Sequence, residues 1–573
     1  MSIAYGPVRR AKDWDALLGD PDDPDVLFSY PRCLRLDDTE AFPDDICAHL
    51  DELGLPAYYV PVAHGGLLGN FDDAATMVRL IARRDLTVAI AHFKTFLGAA
   101  PVWVAGTTTQ ADDLAATVLA GHPIALGLTE RGIGSDLLAT RTVAEPGDEP
   151  GSLTITGEKW LINNGRRATV VTTLVRTSPN AGPRALSLLL VDRRLAGSGG
   201  MTGTAKIPTH GIRGADISGV RYAGAGVGPA GVVGGIGRGV DTLLRALQVT
   251  RIATTPLSLG AADQALRLGY DFCADRELYG GRLVDLPVVR RSLGRAAAAL
   301  FVAEAAVLLG CRAINALPEE LSVVAAVVKA FVPSVVDDLI HDVGELLGAR
   351  AFLLDVLHGG RFQKVERDHR IVGIFDGSTA VNQNYLAGQF SRLGRRYRQR
   401  RLNRDGVAVA ADLARPLPPL ELHRLDVLSP NGCSVVQALP DLLADPVIVR
   451  TVPAALLAVL GDAVTELHDE LAGWRVTGGA LPAIAFDLAR RYELCFASAS
   501  CLLLWRYNYE HVTTELWHEA EWLLCALTLL AEWLGAEPDG AADDLFIRLG
   551  GRRPEPGWGP PMSIFPATLA DLR

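Results

Sequence analysis

Four stretches of the chain place reactive side chains at turns. The first, LGLTERGIGSD (Leu126–Asp136), sets the hydroxyl of Thr129 on a turn followed by small residues. Such a turn exposes main-chain N–H groups and suits hydrogen bonding to a flavin edge or to a phosphate. The second, GEKWLINNG (Gly157–Gly165), falls on the following strand and turn. The third, DRELYGGRL (Asp275–Leu283), closes a long helical pattern, and its Arg276 offers a forked donor for phosphate. The fourth, IFDGSTAVNQNYL (Ile374–Leu386), follows Arg367-Asp368 and presents one carboxylate, Asp376, as a candidate catalytic base.

The elements that must position these residues change character twice along the chain. From about Asp13 to Thr117 apolar residues recur at helical spacing, as in DDAATMVRLIARRDLTVAIAHF, with Gly and Pro clusters at the turns. SLTITGEKWLIN, ATVVTTLVRT and ALSLLLVD are short and rich in β-branched residues, which predicts strands. Helical spacing returns at VDTLLRALQVTRIA and runs through AAAALFVAEAAVLLG. The basic run GRRYRQRRLNRDG reads as a solvated helix end leading into the connector ARPLPPLELHR. Beyond it, Leu456, Leu460, Val464, Leu467, Leu471 and Trp474 share one helix face. The expected fold is α+β and mostly α: an N-terminal helical domain (1–119), a middle β barrel or sandwich (120–232), a four-helix bundle (233–395) and an extra C-terminal helical domain (396–573).

At 573 residues, 49% hydrophobic and 21% charged, the chain has the make-up of a multi-domain globular protein. Its net charge of -11 speaks against a general nucleic-acid binder, which needs a basic face for counterion release. The eight cysteines show no zinc or redox spacing and read as buried thiols in a reducing compartment. No metal site is expected; LWHEAEWLL lacks the second His of a metalloprotease helix. VVGGIGRG lacks a βαβ context and reads as a domain-boundary turn. With no signal peptide and no uncharged membrane-spanning run, the expectation is a cytoplasmic protein.

Taken together and in order, the four motifs and the early GLPAYYVPVAHGG resemble the acyl-CoA dehydrogenase family over roughly residues 45 to 395. The resemblance implies bound FAD between the β domain and the bundle, completed by a neighbouring subunit. It also implies α,β-dehydrogenation of an acyl thioester on CoA or a carrier protein, with electron-transfer flavoprotein or oxygen as acceptor. Carried over by position, Leu128, Thr129, Gly134, Ser135, Leu161, Asn163, Arg276, Tyr279 and Ser378 contact FAD, and Glu345 and Gly348 approach the partner subunit's pyrophosphate. Family members place the base at one of two positions, matched here by Asp376 and Thr250, so Asp376 is the one candidate and Arg251 its electrostatic neighbour. The C-terminal extension resembles that of long members, where it takes the place of a second dimer, and implies a homodimer.

The departures are specific. Asp376 stands where Glu is usual, and a misplacement of about 1 Å costs on the order of a hundredfold in rate. Three readings of that shortness stand: a shifted backbone restores the geometry, the reaction needs less help, or Asp376 only caps a turn. The second admits an oxidase or monooxygenase on the same fold, the third a catalytically weak scaffold. Arg131 replaces a usual Pro, Asn163 a hydroxyl residue, and Ala349 and Ala351 replace glycines. His92 and Lys94 fall on a helix that in the family lines the acyl pocket; they read as a satisfied or snorkelling pair, with selection of a polar acyl group as the alternative.

Overall fold

The helix at Leu86–Ala105 (α2) is apolar on nearly every face, so it must be buried all round, and it forms the hub of the molecule. Asp85 starts it, its carboxylate accepting from the Val88 N–H at 2.9 Å. The computed structural model describes residues 5–475, 480–512, 514–537, 540–552, 554, 557 and 559–565. The preceding helix, α1 (Phe71–Arg84), and α2 head the N-terminal helical layer.

The middle region folds into eight strands: β1 (Ile124–Gly127), β2 (Val143–Pro146), β3 (Leu153–Asn163), β4 (Val170–Arg176), β5 (Leu186–Asp192), β6 (Met201–Gly203), β7 (Ile217–Val227) and β8 (Val232–Val233). Their order is β6-β7-β3-β2-β4-β5-β8, with β1 parallel to β4. The long antiparallel pair β3–β7 carries an irregularity between Trp160 and Ile162, and Leu161 there has φ +58°. Such bulges re-aim the end of a strand, and this one falls just before Asn163, the last residue of β3. The glycine run after β8 is a turn with positive φ at Gly234, Gly235 and Gly237, as the sequence suggests.

A bundle follows: α3 (Gly239–Ala253), α4 (Pro256–Asp275), α5 (Pro287–Ala316) and α6 (Leu321–Leu347). Next come α7 (Leu357–His369) and α8 (Thr379–Ala387), with Asp376 between them. The longer C-terminal helices are α9 (Ala454–Gly473), α10 (Ile484–Asn508), α11 (Glu521–Trp533) and α12 (Gly540–Gly550). On α9, Leu460, Val464, Leu467 and Leu471 are buried, as their spacing predicts. α12 crosses α5 so closely that a Cβ on Gly294 would overlap the Phe546 carbonyl, and one on Gly550 the Arg290 carbonyl. Backbone contact of this kind requires glycine on both helices.

The Arg367-Asp368 pair turns out to be a clamp between layers. Arg367 donates to the Asp37 carboxylate (2.6 Å) and the His210 carbonyl (2.9 Å). Asp368 accepts from the Ile212 N–H (2.5 Å), Thr87 (3.1 Å) and Lys364 (2.6 Å). One dipeptide on α7 thereby ties the N-terminal helices, the sheet and the bundle together. Two helices, Leu86–Ala105 and Pro287–Ala316, are long and apolar enough to cross a membrane, but in the fold 94% of each apolar window is buried. All eight cysteines are free thiols, and all but Cys47 are buried.

Candidate active site

Asp376 sits on a turn fixed from several sides. Lys329, fully buried on α6, donates to the Val372 carbonyl at 2.6 Å. Phe375 N–H donates to Ile371 (3.1 Å) and Thr379 N–H to Gly373 (3.2 Å). Ser378 caps α8 by accepting from the Val381 N–H, and Asn382 donates to the Gly377 carbonyl at 2.9 Å. Asp376 itself is left-handed, φ +56°, followed by Gly377 at +90°. Left-handed backbone at a non-glycine residue is sparsely populated and clusters at functional sites.

The surroundings of Asp376 are cationic. Its carboxylate is largely buried, and Oδ2 makes no hydrogen bond among the described residues. Lys94 Nζ lies 3.8 Å from that oxygen and 3.2 Å from the centre of the Phe375 ring. Arg251 approaches from α3 and donates to the Asp376 main-chain carbonyl at 3.2 Å. Burial pushes all three cations down: the Lys94 ammonium to about 8 against the pull of Asp376, Lys329 to about 7, and Arg251 below its usual value. Thr250, at the alternative base position, is buried and donates to the Leu247 carbonyl.

A second group gathers at the end of β3. Thr129 and Trp160 exchange two bonds, the Trp160 N–H to the Thr129 carbonyl (2.8 Å) and the Thr129 hydroxyl to the Trp160 carbonyl (2.5 Å). Beneath them Lys159, fully buried, donates to Glu130 (2.8 Å) and the Leu128 carbonyl (3.2 Å). Glu130 also accepts from the Arg141 and Thr142 N–H groups. Burial alone would raise Glu130, but the bond from Lys159 and those from Thr142 hold it below its usual value. The Glu and Lys of the first two motifs are therefore the lock that aligns Leu128, Thr129 and Leu161. Arg131, where a Pro is usual, stacks over the Trp160 ring at 4.9 Å. Gly134 and Ser135 lie on the open turn, with nothing near a Cβ built on Gly134.

These residues suit FAD on one structural observation. Among the described residues the buried Oδ1 of Asn163 has no hydrogen-bond partner, while its side-chain amide donates to the Ile90 carbonyl at 3.4 Å. An orphaned acceptor beside the Thr129 turn fits a ring N–H of an isoalloxazine.

A third group lies on the bundle. Arg276 ends α4, and Tyr279, φ +55°, is 94% exposed on the hairpin after it. Arg350 stacks on Phe272 at 5.5 Å, which brings the end of α6 beside this hairpin. Glu345 is exposed there, 3.7 Å from His341, and Gly348 ends the helix at φ +61°. Phe352 and Leu354 are exposed on the same turn.

Of the pair on α2, His92 is satisfied, held between the Tyr59 hydroxyl (2.7 Å) and Asp51 (3.0 Å). Lys94 does not snorkel; it is buried against Asp376. Lys329 escaped the sequence reading altogether, although a single Lys inside SVVAAVVKAFV signals a cation with an internal partner. Ser258, His369 and Asp337 form a hydrogen-bonded chain in the order of a hydrolase triad (2.9 and 2.6 Å). Ser258 and His369 are fully buried, so the chain braces α4, α6 and α7.

Three family models match the chain in succession between residues 29 and 390: the N-terminal domain of acyl-CoA dehydrogenase at 29–122, its middle domain at 125–224 and its C-terminal domain at 237–390. A cyclohex-1-ene-1-carbonyl-CoA dehydrogenase of Syntrophus aciditrophicus is 23% identical over 371 residues, 62% of this chain and 84% of that protein. Among solved structures, an acyl-CoA dehydrogenase from Bacillus anthracis complexed with FAD superposes with a TM-score of 0.69 at 18% identity. That match covers 96% of this chain and 92% of the other, so it includes the C-terminal helices. The prolyl acyl carrier protein oxidase AnaB matches with a TM-score of 0.57 at 16% identity, over 67% of this chain and 96% of that one. With all three domain models matched in order, the chain belongs to the acyl-CoA dehydrogenase family, FAD-dependent oxidoreductases acting on CH–CH groups.

Proposed function

We propose that this protein dehydrogenates an acyl thioester between Cα and Cβ, with Asp376 as the base, in specialised rather than housekeeping metabolism. The supporting observation is the Asp376 turn: a buried carboxylate with an unpartnered oxygen, on strained backbone anchored by Lys329 and Arg251. Bound FAD supplies the hydride acceptor for Cβ. Residues Thr129, Ser135, Asn163 and Leu161, with the main chain at Leu128 and Gly134, would hold its ring end. Arg276 and Tyr279 would contact FAD from the bundle side, and Glu345 and Gly348 would approach the pyrophosphate of a partner subunit's FAD in a homodimer, where the Glu345 carboxylate weakens the contact.

The proton moves from Cα to Asp376 as the Cβ–H electron pair leaves, so the carbon–carbon double bond forms with electrons and protons balanced. The left-handed φ at Asp376 sets the direction of its Cα–Cβ bond and Arg251 pins the carbonyl, which supports the reading that the backbone makes up for the short side chain. We place the protein in the cytoplasm, with divisions at 119, 232 and 395, and electron-transfer flavoprotein or oxygen as the acceptor. Anaerobic mixing of the FAD-loaded protein with acyl-CoA and acyl-carrier-protein thioesters tests the reading: a thioester should bleach the flavin. Failure of every thioester, with NAD(P)H required for reduction, would replace it by a monooxygenase on the same fold.

A further inference from the structure

Lys94 is a buried cation whose bonding capacity the dehydrogenation just described does not use. An ammonium carries three donors. The structure gives this one the face of Phe375 and, at 3.8 Å, Asp376 Oδ2, which is beyond a direct hydrogen bond. At 8% exposure the residue is largely desolvated. The Oδ2 that faces it is buried without a hydrogen-bond partner among the described residues, and an unpaired buried polar atom is costly.

Charge points the same way. Lys94, Lys329 and Arg251 surround one carboxylate. Lys329 is occupied by the Val372 carbonyl and Arg251 by the Asp376 carbonyl, so Lys94 is the cation left facing the carboxylate side of the turn. The opposite phenol, Tyr385, lies beneath Arg251 at 5.5 Å and donates to the Val427 carbonyl, so it supplies no negative charge. An anion entering beside Asp376 would balance the excess.

Resting on the thioester reading above, we propose that the acyl group of the substrate bears a carboxylate, and that Lys94 is the residue that selects it. A group that bonds Lys94 while Asp376 contacts the Cα proton must lie close to the reacting carbons. The two constraints place the carboxylate about two to four bonds from Cα. Lys94 is thus a specificity residue, and the role accounts for the one Lys or Arg side chain on α2.

The test uses FAD-loaded protein under anaerobic conditions with two five-carbon probes, glutaryl and valeryl, each as the CoA and the pantetheine thioester. Glutaryl should bleach the flavin more efficiently by on the order of ten- to a hundredfold, the range for a hydrogen bond to a charged group. Lys94→Met should collapse that ratio towards one, and Lys94→Arg should keep it; flavin content reports that each variant is folded. A wild-type preference for valeryl overturns the proposal. So does an equal loss for both probes in Lys94→Met, which would assign Lys94 to the thioester oxygen. Bleaching by valeryl alone sinks the carboxylate and leaves the dehydrogenase standing, whereas no bleaching by any thioester removes both.

Discussion

Arg251 Nε donates to the main-chain carbonyl of Asp376 at 3.2 Å, so the guanidinium holds the backbone of the Asp376 turn and leaves the carboxylate to Lys94. Its charge still acts on the carboxylate through space, but its bond is to the peptide. That division fits the left-handed φ of Asp376, because a strained residue needs its carbonyl fixed as well as its side chain. The packing is close: a Cβ on Gly377 would stand 3.5 Å from an Arg251 terminal nitrogen.

Arg251→Met should therefore act on rate more than on binding. Loss of the anchor lets the turn relax, and a shift of about 1 Å is worth on the order of a hundredfold. Rapid-mixing flavin reduction should show the maximal rate falling by that factor, with flavin content and thioester affinity near wild type. Arg251→Lys, which keeps charge but loses the planar fork, should recover only part of it. Full activity in Arg251→Met would remove the positioning role.

Asp376→Asn keeps shape and backbone and removes the base. Reduction by thioester should drop by about a hundred- to ten-thousandfold, the usual contribution of a positioned base. Flavin content should not change, since no flavin contact is assigned to this side chain. Unimpaired reduction would leave Asp376 as a turn residue alone.

How far this site can be read from sequence depends on whether a role is local or distant. Thr129, Asn163 and Asp376 lie in or beside turns whose residue types mark them as candidates, and the α+β order follows from the switch between helical and strand periodicity. Glu130 and Lys159 were legible as motif members but not as a buried ion pair, since their meeting depends on β3 passing over the first turn. Lys94 shows the limit most clearly. Alone on α2 it reads as a snorkelling side chain; only the packing of α2 against the Phe375–Asp376 turn, some 280 residues away by the numbering, gives it a partner. Arg367-Asp368 reads as a motif with chemistry and proves to be a clamp, because its partners Asp37, His210 and Ile212 come from two other layers.

The crossing of α5 and α12 yields a prediction about the C-terminal helices. Gly294→Val would drive a side chain into the Phe546 backbone, where no flexible end can give way. Overpacking of this kind costs about 1–3 kcal/mol. Limited proteolysis should release the C-terminal helices sooner in the variant, while flavin content, which the proposed contacts place on other elements, stays near wild type. Equal proteolytic lifetimes would show that α12 can shift without penalty.

Glu320, beyond the other end of α5, gives a second contact with the C-terminal region a pH dependence. It ends the connection between α5 and α6 and accepts from the Ser434 N–H and hydroxyl, both at 2.6 Å. Burial raises its carboxyl from 4.5 to about 7, with the Ser434 bonds opposing. The folded protein then holds a proton that the unfolded chain releases at lower pH. Its contribution to stability is complete below about pH 4.5 and is lost as the pH rises to about 7. The full span corresponds to about 3 kcal/mol. Denaturant midpoints across that window should fall with rising pH in the wild type, against the background of other groups. Glu320→Gln cannot ionise, so its midpoints should fall less over the same window. Identical slopes in the two proteins would mean that Glu320 does not retain its proton in the folded state.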